Sequence, residues 1–132
     1  MNKICTSIEQ SQKLIELGID VNTADMYYYT VNGDWEWYKT PNIIENINDL
    51  DEHTIPAWSL TALLELIPPY LEEFNDGIDF GFSKSMNGKW YSAHYIQLDN
   101  SRLITFAKTV TGDTSVDAAF EMIVWLKENN KI

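Results

Sequence analysis

The apolar positions of this chain change period along its length, and the changes divide it into elements. Thr6 with Glu9 has the spacing of a capping box, which predicts a helix starting near Ser7. Ile8, Leu14, Ile15 and Leu17 give that helix an apolar side. Gly18 supplies its stop, with Ile19 folding back on Leu14 in a Schellman end. The period then drops to two. Residues 26–31 and 34–39 flank Asn32-Gly33, the strongest short hairpin signal, because a type I′ turn needs positive φ at both central residues. A two-residue turn there sets Thr30 opposite Trp35 and Tyr28 opposite Trp37. The other face then pairs Tyr29 with Glu36 and Tyr27 with Tyr38. Both faces carry aromatics, so at least one must be covered or used.

Residues 40–56 hold Pro41, three Asn and the acids Glu45, Asp49, Asp51 and Glu52. This reads as a long connection with one helical turn around 43–47. Ser59 caps a second helix over 60–67, which Pro68-Pro69 ends. A short turn through 70–74 follows. Residues 78–85 and 90–98 flank a second turn, Asn87-Gly88, and a third strand over 102–110 makes a meander. The register puts Phe80, Phe82, Tyr91, Ala93 and Tyr95 on one face, continued by Ile104 and Phe106. The opposite face carries Asp79, Gly81, Ser83, Trp90, Ser92 and His94. Thr114 with Asp117 opens a last helix over about 115–129, apolar almost all round and so expected to be the central buried one. The order is α-β-β-α-β-β-β-α. It implies one α+β domain over 1–132, with three helices and an antiparallel sheet of about five strands built from two Asn-Gly hairpins.

Charge changes this picture. Twenty Asp and Glu face nine Lys and Arg, a formal net charge of −11, and Arg102 is the sole arginine. An aromatic content of 13% separates the chain from disordered acidic tails, which lack aromatics. The deficit of cations excludes a generic nucleic-acid binder and disfavours anionic membranes. Cys5, the single cysteine, excludes an internal disulfide and a multi-cysteine zinc site. No apolar run reaches signal-peptide or membrane-span length, so the expected location is the cytoplasm.

Two resemblances follow from particular segments. Residues 14–25 (LIELGIDVNTAD) look like the end of an ankyrin repeat, and 112–119 (GDTSVDAA) like the start of one. A repeat needs both within about 33 residues and in stacked copies. Here the predicted strands lie between them, so what is shared is a capped amphipathic helix and a helix ending in glycine. Separately, 6–25 (TSIEQSQKLIELGIDVNTAD), 55–68 (IPAWSLTALLELIP) and 112–126 (GDTSVDAAFEMIVWL) resemble a family of small acidic proteins. That family recurs in Bacteroides-type gut bacteria, often near prophage or mobile-element genes. The resemblance implies a small cytoplasmic accessory protein and brings no reaction with it.

Enzyme chemistry is thinly signalled. His53 follows Asp49-Leu50-Asp51-Glu52, where carboxylates would favour its protonated form, and it reads as a general base, a metal ligand or a solvated loop residue. His94, with Asp79, Ser83 and Ser92, suggests a hydrolase-like set, yet no strained turn or oxyanion hole accompanies it. Cys5 before a helix could be a lowered thiol or a small hydrophobe. The acidic run 72–79 lacks the spacing of a calcium loop. No catalytic residue, metal ligand or cofactor is assigned, and the balance is against an enzyme. The informative cluster is Tyr27, Tyr29, Trp35, Glu36, Trp37 and Tyr38, aromatics interleaved with acid. Aromatics concentrate binding energy at interfaces, and a strong negative field steers basic partners. The expectation is a non-enzymatic module that binds a basic protein, of the immunity or phage-inhibitor type, with self-association into a homodimer as a further expectation. The alternatives are a small enzyme using His94 or His53 with carboxylates, and a carbohydrate or small-ligand binder on the aromatic hairpin.

Overall fold

Buried hydroxyls decide where the first helix begins. A computed structural model of the protein describes residues 3–31, 36–37, 40–71, 78–85, 88, 91–98 and 104–132. In it α1 (Ile8–Glu16) is capped by Ser7, one residue later than the Thr6–Glu9 spacing predicts. Ser7 Oγ accepts from the Gln10 N–H at 3.1 Å, and Gln10 Oε1 accepts from the Ser7 N–H at 3.0 Å. Thr6 is unavailable because its buried hydroxyl accepts from the Trp58 N–H at 3.0 Å and pairs with Ser11 Oγ at 2.8 Å. The helix ends as expected. Gly18 sits at φ +88°, and the Ile19 N–H reaches the Leu14 carbonyl at 3.0 Å.

Among the described residues the strands fall into two antiparallel sheets. In the first, β1 (Met26–Val31) pairs with β2 (Glu36–Trp37), β3 (Asn42–Ile43) and β4 (Thr54–Ala57). The expected long connection thus contains two strands. Its helical turn is a 3-10 turn at Ile47–Asp49, later than 43–47. The second sheet has the order β5-β6-β7-β8, from β5 (Tyr70–Leu71), β6 (Ile78–Lys84), β7 (Tyr91–Leu98) and β8 (Ile104–Gly112). β5 stands where a turn was expected. The class is α+β, and among the described residues there are three helices and five strands (β1, β4, β6, β7 and β8) of four residues or more.

The two hairpins differ in register. β6 pairs with β7 as Lys84↔Tyr91 through Asp79↔Ile96, the pairing that a two-residue Asn87-Gly88 turn dictates. Gly88 has φ +71° there. β1 pairs with β2 as Val31↔Glu36 and Thr30↔Trp37, two residues away from the expected pairing of Thr30 with Trp35. Along β7 and β8 the pairing slips between Tyr95↔Lys108 and Ile96↔Phe106. Ala107 is the extra residue of this bulge. Phe106 and Ile104 therefore pair with Ile96 and Leu98, outside the Phe80/Tyr95 set that alternation alone assigned to them.

The main core forms around α3 (Ser115–Glu128), whose cap Thr114 accepts from the Asp117 N–H at 3.1 Å. Val116, Ala119, Met122, Ile123 and Leu126 of α3 pack with Leu14 of α1, with Trp58, and with Leu63 of α2 (Leu60–Leu66). Ala93 of β7 closes the other side, flanked by Phe80, Phe82, Tyr91 and Val110. The buried central helix is as the sequence predicts. Burial of each large side chain contributes about 1.5–3 kcal/mol. A close approach fixes where α3 meets the sheet: a Cβ on Gly112 would lie 2.4 Å from the Ala118 nitrogen. A second, smaller cluster joins Cys5, Tyr28, Ile55 and Ala57 beneath the first sheet, with Ile8 and Met26 against it.

Candidate functional site

Alternation along β1 separates a packed face from an open one. Tyr28 pairs with Ile55 and Met26 with Ala57, and this set turns toward the smaller cluster. Tyr28 is 7% exposed. Its hydroxyl donates to the Thr6 carbonyl at 2.9 Å and lies 3.6 Å from Cys5 Sγ. Burial, then the Cys5 contact, push that hydroxyl above the usual tyrosine range. Burial likewise raises the Cys5 thiol, so this cysteine is a small buried hydrophobe and not an activated nucleophile.

The opposite set is Tyr27 and Tyr29. Tyr29 is 44% exposed and Tyr27 is half-buried. With Thr40 and Asn42 they line an open groove of about 420 Å³. Thr54 and Pro56 of β4 pair with Tyr29 and Tyr27 and continue this face. The acids beyond it divide into two kinds. Asp49 Oδ2 accepts from the Glu45 and Asn46 N–H groups at 2.7 and 3.1 Å, and Asp51 Oδ1 accepts from the His53 N–H at 2.7 Å. Those carboxylates shape the loop. Glu45 and Glu52 are exposed and contribute to the field around it.

Of the six residues singled out in the sequence, Tyr27 and Tyr29 come together on the open face. Glu36 and Trp37 are placed by backbone pairing with Val31 and Thr30. Trp35 and Tyr38 lie outside the described residues, as do 72–77 of the acidic run. His53 is exposed, with Nε2 3.4 Å from Glu52 Oε1. The side chains of this pair are 55% and 86% exposed, as in an ordinary solvated surface contact. His94 pairs with Gly81 and Thr109 in β7, in register with Asp79, Ser83 and Ser92 as the turn chemistry dictates. Among the described residues no group of three His, Cys, Asp or Glu is placed to hold a metal.

Sequence reasoning missed a polar clasp. Lys3 Nζ donates to Gln10 Oε1 at 2.7 Å and to Asp117 Oδ1 at 2.6 Å, and Gln10 Nε2 donates to the same Asp117 oxygen at 2.9 Å. Burial pushes the Asp117 carboxyl up. Hydrogen bonds from Lys3, Gln10 and Thr114 and the Lys3 charge outweigh that, so it sits below its ordinary value. The signal existed, since Gln10 is N3 of α1 and Asp117 is N3 of α3, but their meeting depends on tertiary packing. A second missed link ties Asp25 to the α2 cap: its carboxylate accepts from the Ser59 N–H at 2.8 Å and from the Ser59 hydroxyl.

No helix among the described residues is long and apolar enough to cross a membrane. No protein-family profile, curated protein or solved structure matches this chain.

Proposed function

We propose that this chain is a non-catalytic, acidic protein-interaction module of the cytoplasm, of the immunity or phage-inhibitor kind, that binds a basic protein through the Tyr27/Tyr29 face. The observation that carries the reading is Tyr29, 44% exposed beside Tyr27 on a sheet whose other face is packed. A large aromatic left at the surface provides contact area at low entropic cost. The net charge of −11 raises the encounter rate with a cationic partner and disfavours an anionic one. The tyrosines also suit a sugar ring, but the surrounding field favours a cation. The test is capture from the source cells at low and high salt, with the wild type and a Tyr27→Ser/Tyr29→Ser variant as baits. The expected result is a basic protein held by the wild type, released by salt and absent from the variant. The same proteins on both baits would overturn the tyrosine face as the site, and a salt-resistant acidic partner would overturn steering by charge.

A further inference from the structure

Among the described residues β8 is the longest strand, nine residues, and it forms an edge, pairing with β7 alone. An edge of this length presents a row of main-chain donors and acceptors to a further strand. Beside it, between β8 and α3, runs a groove of about 200 Å³. Val110, Val124 and Trp125 give it an apolar floor, and Glu121 and Glu128 stand on its helix side. Lys108 lies over the Trp125 ring, 5.6 Å from its centre, which holds this cation of the groove against an aromatic face.

We propose that this cleft takes an extended segment of a basic protein, added as a further strand on β8. An edge strand flanked by a helix groove is the arrangement in which main-chain bonds give affinity and alternate side chains give specificity. The segment that fits has one large apolar side chain for the Val110/Val124/Trp125 floor, with Lys or Arg on either side for Glu121 and Glu128. A second copy of this chain fits poorly. Antiparallel self-pairing of β8 about its middle residue sets Lys108 against its own copy, and both copies carry −11. The cleft lies on the second sheet, apart from the tyrosine face, so the two readings stand or fall separately.

The probe is a peptide-display library of random segments selected on the full chain. Enrichment of an apolar residue flanked by Lys or Arg is expected, with amide shifts in Lys108–Thr111 on binding. The exposed double variant Glu121→Lys/Glu128→Lys should bind the selected peptide about tenfold more weakly. N-methylation of alternate peptide residues on one edge should weaken it comparably on the unaltered protein, which separates strand addition from a folding defect. Four outcomes overturn the proposal: no selected peptide, selection of acidic flanks, binding indifferent to both changes, or a homodimer that protects β8 without peptide.

Discussion

The chain contains the same dipeptide turn twice, and only one of the two dictates its hairpin. Around Asn87-Gly88 the register is the one expected, and three features agree on it. Gly88 adopts positive φ, Phe82 and Ala93 pair within the packed face, and β7 continues into pairing with β8. Around Asn32-Gly33 the pairing begins at Val31↔Glu36, so four residues, 32–35, separate the paired positions. There β1 is already fixed by four pairs with β4 and by the burial of Tyr28, while among the described residues β2 contributes two. A turn preference decides register where the other pairings of its strands agree with it, as β7 with β8 does. Where the other pairings and burial of one strand oppose it, they decide.

Four measurements break or sharpen this contrast. The largest effect belongs to the packed second sheet. Gly112→Ala places a methyl against the backbone of Asp117 and Ala118, where nothing flexible can yield, and should cost about 3 kcal/mol in chemical denaturation. At the hairpin tip, Gly88→Ala should cost about 1 kcal/mol, because φ +71° suits glycine and a Cβ would press the Lys84 stem at 3.3 Å. A cost near zero would mean that packing and not the turn sets this register.

The third measurement concerns acid. Asp117 has its carboxyl held below the ordinary 3.8, so its contribution is present above that value and is lost as pH falls through the lower folded value. Melting curves of the wild type and Asp117→Asn should be separated at neutral pH and converge as the acid limit is approached. A gap that persists into acid would assign the effect to packing and not to charge. The smallest effect belongs to the open face of the first sheet. Tyr29→Ser should change stability by less than about 1 kcal/mol, and its main consequence should be on binding.

Legibility followed how local each cause is. All three helices were readable, as was the Gly18 end, because caps, stops and 3.6-residue periods act over neighbouring positions. The sequence offers the Thr6–Glu9 box, but the helix uses Ser7 with Gln10, because Thr6 is held by Trp58, more than fifty residues away. β4 was hidden because Thr54-Ile55-Pro56-Ala57 carries a proline, which reads against a central strand and is tolerated at an edge. β3 and β5, two residues each, have no period to read. The tyrosines of β1 were legible as a two-faced strand, but which face stays open depended on β4 and on the segment carrying Cys5. The β8 bulge at Ala107 is silent in the sequence, and it is what moves Phe106 out of the Tyr95 set. The cleft beside Trp125 could not be seen because its walls come from two elements that alternation treats separately.

The clasp at Lys3 also has a mechanical meaning. The segment from Lys3 to Ser7 touches both cores: Cys5 bridges to Ser59 and packs beneath the first sheet, Thr6 holds Trp58, and Lys3 holds the start of α3. Tension applied at that end would load the Lys3–Asp117 contact first and the Thr6–Trp58 bonds next.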